Sequence, residues 1–151
     1  MVVSDDPLWA AYVAAHPQHR DEVPAVGPFG SSAAMADRLL DYVLHGPKRA
    51  TCGLPDPDEP VVLGGHWVVE DGSGRSRVVL RTTDVRSGRL DSVDDVFAWD
   101  EGEDDRTRDS WLREHRRYVA RGLGLADEAD VDHVEVVFER FTVVWPPEHA
   151  D

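Results

Sequence analysis

The chain has 151 residues, 41% hydrophobic and 30% charged, the size and composition of a soluble globular domain with one sizeable core. Its 16 Lys and Arg stand against 30 Asp and Glu, a net charge of -14; binding to duplex nucleic acid relies on a basic face, so extended duplex DNA is not an expected partner. No apolar run approaches the roughly 18 residues of a membrane span, Met1–Asp6 lacks the regions of a signal peptide, and the lone Cys52 excludes an internal disulfide and a Cys-rich zinc site; the expected location is cytoplasmic.

Ser4-Asp5-Asp6-Pro7 reads as a helix start, with an acidic cap and proline at the first helical position. Leu8, Trp9, Tyr12 and Val13 follow at helical spacing until Pro17. Residues 17–30, rich in proline and glycine, read as a surface connection. A second helix is predicted from Ser31 or Ser32, with Met35, Leu39, Leu40, Val43 and Leu44 as its apolar stripe and Gly46 as its stop. Residues 53–60 read as a proline-rich loop. The runs 61–70 and 77–86, joined by the turn Glu70-Asp71-Gly72-Ser73-Gly74, predict an antiparallel pair. A short helix is expected over 92–99 with Val93, Val96 and Phe97 inward. Thr107 opens a longer one that aligns Trp111, Leu112, His115, Tyr118 and Val119, closed by Gly122 and Gly124. The β-branched and aromatic run from Val134 to Trp145 predicts a long strand. Its inward parity changes between Phe138 and Phe141, which predicts a bulge near Glu139-Arg140. The fold class is α+β, built around a mostly antiparallel sheet.

Two short stretches carry most of the chemistry, Gly46-Pro47-Lys48-Arg49-Ala50-Thr51 and Ala98-Trp99-Asp100-Glu101-Gly102-Glu103. Lys48 follows a helix stop, in the kind of loop where scaffolds present functional groups. A partly buried lysine can act as base or nucleophile or hold an oxyanion; the plain alternative is a solvated surface lysine. Thr51 reaches the same side if this stretch makes one turn, and is otherwise a turn hydroxyl. Glu101 and Glu103 project together if their segment is extended. Two crowded carboxylates raise one pKa, as a general acid or base near neutral pH requires. The alternatives are a solvated acidic loop and, as a minor reading, a divalent-cation loop that lacks the calcium-loop pattern. Trp111 and His115 lie four apart on one helix face, suited to core packing or, if the helix lines a cleft, to substrate contact. His16 and His19 have no partner at ligand spacing, so no metal site is expected.

Together these segments resemble the ASCH domain of the PUA-like superfamily, closest to its bacterial stand-alone branch. The resemblance rests on Gly46-Pro47-Lys48-Arg49-Ala50-Thr51, Gly64-Gly65-His66-Trp67-Val68-Val69, Arg81-Thr82-Thr83-Asp84-Val85, Ala98-Trp99-Asp100-Glu101-Gly102-Glu103, Trp111-Leu112-Arg113-Glu114-His115 and Glu139-Arg140-Phe141. It implies a small, mostly antiparallel PUA-like barrel flanked by helices. Residues 1–30 would then form an N-terminal helix and connection packed on the domain, 31–146 the ASCH domain and 147–151 a tail. One relative of this kind is an amidohydrolase that removes the acetyl group of N4-acetylcytidine; its lysine, threonine and glutamate correspond to Lys48, Thr51 and Glu101. Other relatives cleave single-stranded RNA or are discussed as RNA-binding regulators. The resemblance thus implies a hydrolase for a modified nucleoside, with Lys48, Thr51 and Glu101 as catalytic residues and Glu103, Trp111, His115 and Arg140 in contact with substrate. The alternatives are an RNA-binding module or a single-stranded ribonuclease. No cofactor is implied, and a divalent metal only for the ribonuclease. Two departures stand out: Asp104 where relatives commonly have glycine, and His66 where they often have aspartate. Lys48 and Glu101 are expected at the cleft wall, outside the core, so replacing either should leave the fold intact.

Overall fold

The protein is described by a computed structural model over residues 4–151; residues 1–3, part of the stretch read against a signal peptide, lie outside it. Four helices, α1 (Pro7–Ala15), α2 (Ala33–His45), α3 (Asp95–Glu101) and α4 (Arg108–Gly122), flank the strands β1 (Ala25–Pro28), β2 (Ala50–Gly53), β3 (His66–Glu70), β4 (Ser76–Arg89) and β5 (Glu135–Trp145). The strand order is β1-β3-β4-β5-β2. Only β1–β3 is parallel. The sheet curls into a half-barrel with β1 and β2 at its edges, an α+β fold of the PUA-like kind.

Each helix starts on a capping side chain that satisfies a first-turn N–H. Asp6 accepts from Leu8 N and Trp9 N at 2.9 and 3.0 Å. Ser32, not Ser31, caps α2 through Met35 N at 3.1 Å. Asp94 accepts from Phe97 N at 2.7 Å and Thr107 from Ser110 N at 3.2 Å.

Apolar side chains form three clusters. Trp9 and Tyr12 of α1 press on Val68 and Val79. The inner face of α2, with Leu39, Leu40 and Val43, covers Val69, Val78, Leu80, Phe141 and Val143. Phe97, Trp111, Leu112 and Val119 of α3 and α4 cover Ala50, Cys52, Val136 and Phe138. β5 therefore supplies Phe138 to one cluster and Phe141 to another, which explains its change of parity. The irregularity next to Arg140 lies on its partner: Thr82 faces Phe141 and Asp84 faces Arg140, so the extra residue is Thr83 of β4, not Glu139 or Arg140. A second irregularity, where Val79 faces Trp145 and Leu80 faces Val143, leaves Val144 of β5 as the extra residue.

Several expectations are corrected. The connection read at 17–30 contains β1, which Trp67 anchors by donating its indole N–H to Gly27 O at 3.0 Å. β2 immediately follows Lys48 and was not foreseen. The strand expected from residue 61 begins at His66, and Val61, Val62 and Leu63 are exposed. Val96, expected inward, is 62% exposed. The C-terminal Asp151 is docked, accepting from Arg49 Nη2 at 2.8 Å and Val143 N at 2.8 Å. No helix among the described residues is long and apolar enough to cross a membrane.

These contacts set a stability contrast. Trp9→Ala should cost about 3–5 kcal/mol, the usual loss for a fully buried aromatic, whereas Val96→Ala should change stability by no more than about 0.5 kcal/mol. Urea unfolding of the two variants measures both; equal losses would contradict the assigned packing.

Candidate functional site

The geometry of the site begins with Gly102. It ends α3 in the left-handed conformation, φ 70°, and a Cβ there would lie 2.9 Å from Lys48 N and 2.9 Å from Pro47 Cγ. Glycine is thus required both by the backbone turn and by the close approach. Arg49 N donates to Asp100 O at 2.9 Å, tying the same two segments. Glu101 and Glu103 therefore converge on Lys48 through a helix C-cap, not through the extended segment expected from their spacing.

Lys48 and Glu101 are only 1% and 2% exposed, so both belong to the interior, contrary to expectation. Lys48 Nζ donates to Ala50 O at 2.8 Å and to Glu103 Oε2 at 3.4 Å, with Glu101 Oε1 at 3.7 Å. Glu101 is held from the other side as well. One oxygen accepts from the Trp111 indole N–H, and the other lies 3.0 Å from His115 Nε2. His115 Nδ1 is 2.9 Å from Trp111 O, a group that only accepts, so Nδ1 carries a proton and Nε2 needs a second one to bond the carboxylate. Burial opposes a charged ring, but the Glu101 carboxylate outweighs it and raises the His115 pKa. Burial likewise opposes ionisation of Glu101, but His115 and Lys48 outweigh it and hold the carboxyl below its ordinary value. The proton resides on His115, as an imidazolium stacked on Trp111 at 3.8 Å between ring centroids.

Glu103 behaves in the opposite way. Burial and the neighbouring Glu101 charge overcome the pull of Lys48 and raise its pKa to about 7, while its side chain stays 22% exposed. A third carboxyl, Glu139, accepts from Thr82 Oγ1 at 2.6 Å, and burial raises its pKa. All of these groups line one cleft of about 1100 Å³. The cleft brings together the expected Lys48, Thr51, Glu101, Glu103, Trp111 and His115. Arg140 is not among its lining residues: it pairs with Asp100, and its guanidinium lies 5.3 Å from the Phe97 ring centroid. Glu139 and Thr82 were missed by the sequence reading. The available signal for Glu139 was its place in the charged pair Glu139-Arg140 between the buried Phe138 and Phe141.

Among the described residues, two sets of His and carboxylate groups converge closely enough to hold a metal ion: Glu101, Glu103 and His115, and His19, Glu22 and His66. In the first, Lys48 already supplies positive charge beside both carboxylates. The second corrects the reading of His19 as partnerless: Glu22, three residues on, meets it at 2.8 Å, and the fold adds His66 of β3.

Stability should respond to this arrangement. Removing one partner of a buried ion pair strands the other, so Lys48→Ala should destabilise the protein by about 3–5 kcal/mol. Glu103→Gln should do the reverse. A carboxyl whose folded pKa is raised disfavours folding once it ionises, so its stability contribution is lost as pH rises from its ordinary value of 4.5 towards about 7. Thermal unfolding from pH 4.5 to 8 should show a stabilising effect of Glu103→Gln that grows with pH. A constant difference would contradict the shifted pKa.

The sequence profile of the ASCH domain matches residues 25–145. Among solved structures, the ASCH domain from Lactobacillus crispatus superposes with a TM-score of 0.78 at 25% identity, over 92% of this chain and 92% of that one. A protein from Enterococcus faecalis superposes with a TM-score of 0.74 at 28% identity, over 91% of this chain and 85% of that one. No curated protein matches the sequence significantly. With its profile match running from β1 to the end of β5, the chain belongs to the ASCH domain family.

Proposed function

We propose that this ASCH-domain protein is a hydrolase that cleaves the amide of an acylated nucleoside such as N4-acetylcytidine, adding water to release the nucleoside amine and a carboxylic acid. The observation that carries this reading is a carboxyl with pKa near 7 beside a buried lysine in a cleft that also presents the Thr51 hydroxyl. Proton transfer is most effective when the group's pKa lies near the working pH.

In this scheme Glu103, rather than Glu101, is the mobile acid and base. Glu101 is immobilised by Trp111 and His115 and stays ionised. Glu103 removes the proton from the attacking group and later returns it to the leaving amine. Attack by water releases the acid directly, whereas attack by Thr51 Oγ1 leaves an acyl ester that a water, deprotonated by Glu103 in turn, hydrolyses to free the acid and restore the hydroxyl. Lys48 Nζ has hydrogen bonds to Ala50 O and Glu103, while Glu101 at 3.7 Å is beyond bonding distance. Its remaining N–H is therefore available to an oxyanion, an interaction worth most in a water-poor site. The Glu101 carboxylate offsets the lysine's charge at 3.7 Å, and the His115 cation holds that carboxylate in place at 3.0 Å. A neutral substrate meets no electrostatic barrier at an acidic protein.

The second reading, binding or cleavage of single-stranded RNA, is favoured by cleft size. About 1100 Å³ is slightly above the roughly 300–1,000 Å³ of ordinary small-molecule pockets. Charge weighs against it. The net charge is -14, and Arg116 pairs with Asp132, Arg121 with Asp127, Arg89 with Asp91 and Arg77 with Asp71, so these arginines are already neutralised by neighbouring acids.

Purified protein incubated with N4-acetylcytidine should release cytidine and acetate, with a rate that rises with pH through about 7 as Glu103 loses its proton. Glu103→Gln should remain folded and lose roughly a hundredfold or more in kcat, the scale of a positioned acid or base. No turnover on acylated nucleosides, together with tight, steeply salt-dependent binding of single-stranded RNA, would replace this reading with the second.

A further inference from the structure

Away from the lysine, beside α1, the structure gathers a second set of polar groups. His19 Nδ1 lies 2.8 Å from one oxygen of Glu22, and His66 Nδ1 lies 2.7 Å from the other. The two imidazoles meet edge to face with centroids 4.6 Å apart. One donor atom from each of the three residues falls within 4.8 Å of the other two. We propose that His19, Glu22 and His66 form a binding site for a divalent transition cation of the zinc type, which clasps the N-terminal segment to β3.

The donor set specifies the class of ion. Two imidazole nitrogens and one carboxylate suit zinc and its first-row neighbours, whereas calcium and magnesium prefer all-oxygen sites. Bonds of about 2.0–2.2 Å would draw the three donor atoms closer together than they stand, a change that side-chain rotation of the half-exposed Glu22 can supply. In the metal-free protein the carboxylate bridges two ring N–H groups. On binding, each ring stays neutral by carrying its proton on Nε2 instead, which for His66 then donates to Tyr12 Oη, and a single ion takes the place of the two Nδ1 protons.

The surroundings support the assignment. His66 has no side-chain exposure, and its far nitrogen, Nε2, lies 3.0 Å from Tyr12 Oη. An oxygen partner on the second ring nitrogen is what fixes the tautomer and orientation of a metal-binding histidine. The Trp9 ring edge, 5.2 Å away between centroids, braces the same imidazole. Arg81 acts on His66 as a nearby positive charge, which opposes the ion and limits its affinity. The site does not depend on the hydrolase reading. Its three ligands join the turn after α1 to the first residue of β3, so an ion there would act as a clasp.

The full-length protein, freed of metal with a chelator, can be titrated calorimetrically with zinc chloride and, separately, with magnesium chloride. One equivalent of zinc should bind and raise the melting temperature, because a ligand bound only by the folded state stabilises it; magnesium should do neither. Loss of even a supporting group typically weakens a metal site about 10–100-fold, so Glu22→Gln and His19→Ala, both outside the core, should weaken zinc binding by at least about tenfold while remaining folded by circular dichroism. Absence of zinc binding would overturn the proposal. So would binding that survives both substitutions but disappears in Glu103→Gln, since that would place the ion in the Lys48 cleft.

Discussion

An ammonium group withdrawn from water must find oxygen partners, and in this protein most of the site follows from that requirement at Lys48. At 1% exposure an unpaired lysine would be strongly disfavoured. Its partners are the carbonyl of the first residue of β2 and the two carboxylates that flank Gly102. The left-handed turn at Gly102, pressed on the Lys48 backbone, is what allows a helix end to deliver two acids to one cation. The short β2 and the C-cap of α3 are therefore parts of one electrostatic device.

Within that device, neighbouring carboxyls are driven apart. Glu101 has an imidazolium, an indole N–H and a lysine around it and stays ionised. Burial, with the Glu101 charge beside it, outweighs the pull of Lys48 on Glu103 and raises its pKa to about 7. Separating the pKa values of paired titratable groups is how a site makes one carboxyl an electrostatic anchor and the other a proton carrier. The same arrangement entails a trade-off: the ionised Glu103 that the proposed hydrolase would use as a base opposes folding.

The amphipathic elements were legible in the sequence because periodicity records a buried face. The stripe of α2, the hairpin of β3 and β4 and the aligned Trp111 and His115 of α4 all appear as expected. β1 and β2 were not legible. Each is only four residues long and lies at an edge of the sheet, so neither has room for a periodic signal. Val61, Val62 and Leu63 misled in the opposite direction, as an exposed apolar run with no strand to join, of which Val61 and Val62 line the cleft. Lys48, Glu101 and Glu103 were recognisable as chemical groups, but their depth was not. The different surroundings of Glu101 and Glu103 depend on Trp111 and His115 closing around one carboxylate. His66, noticed only as a departure from relatives, gained meaning when the fold brought Glu22 and His19 to its ring.

The central claim, that one carboxyl beside Lys48 stays protonated up to neutral pH while its neighbour is locked ionised, can be read directly by NMR. A carbon-13 titration of glutamate-labelled protein, with the signals assigned by Glu101→Gln and Glu103→Gln, should show the Glu103 carboxyl titrating at about 7 and that of Glu101 below the ordinary glutamate range. Both groups titrating together near 4.5 would contradict the account.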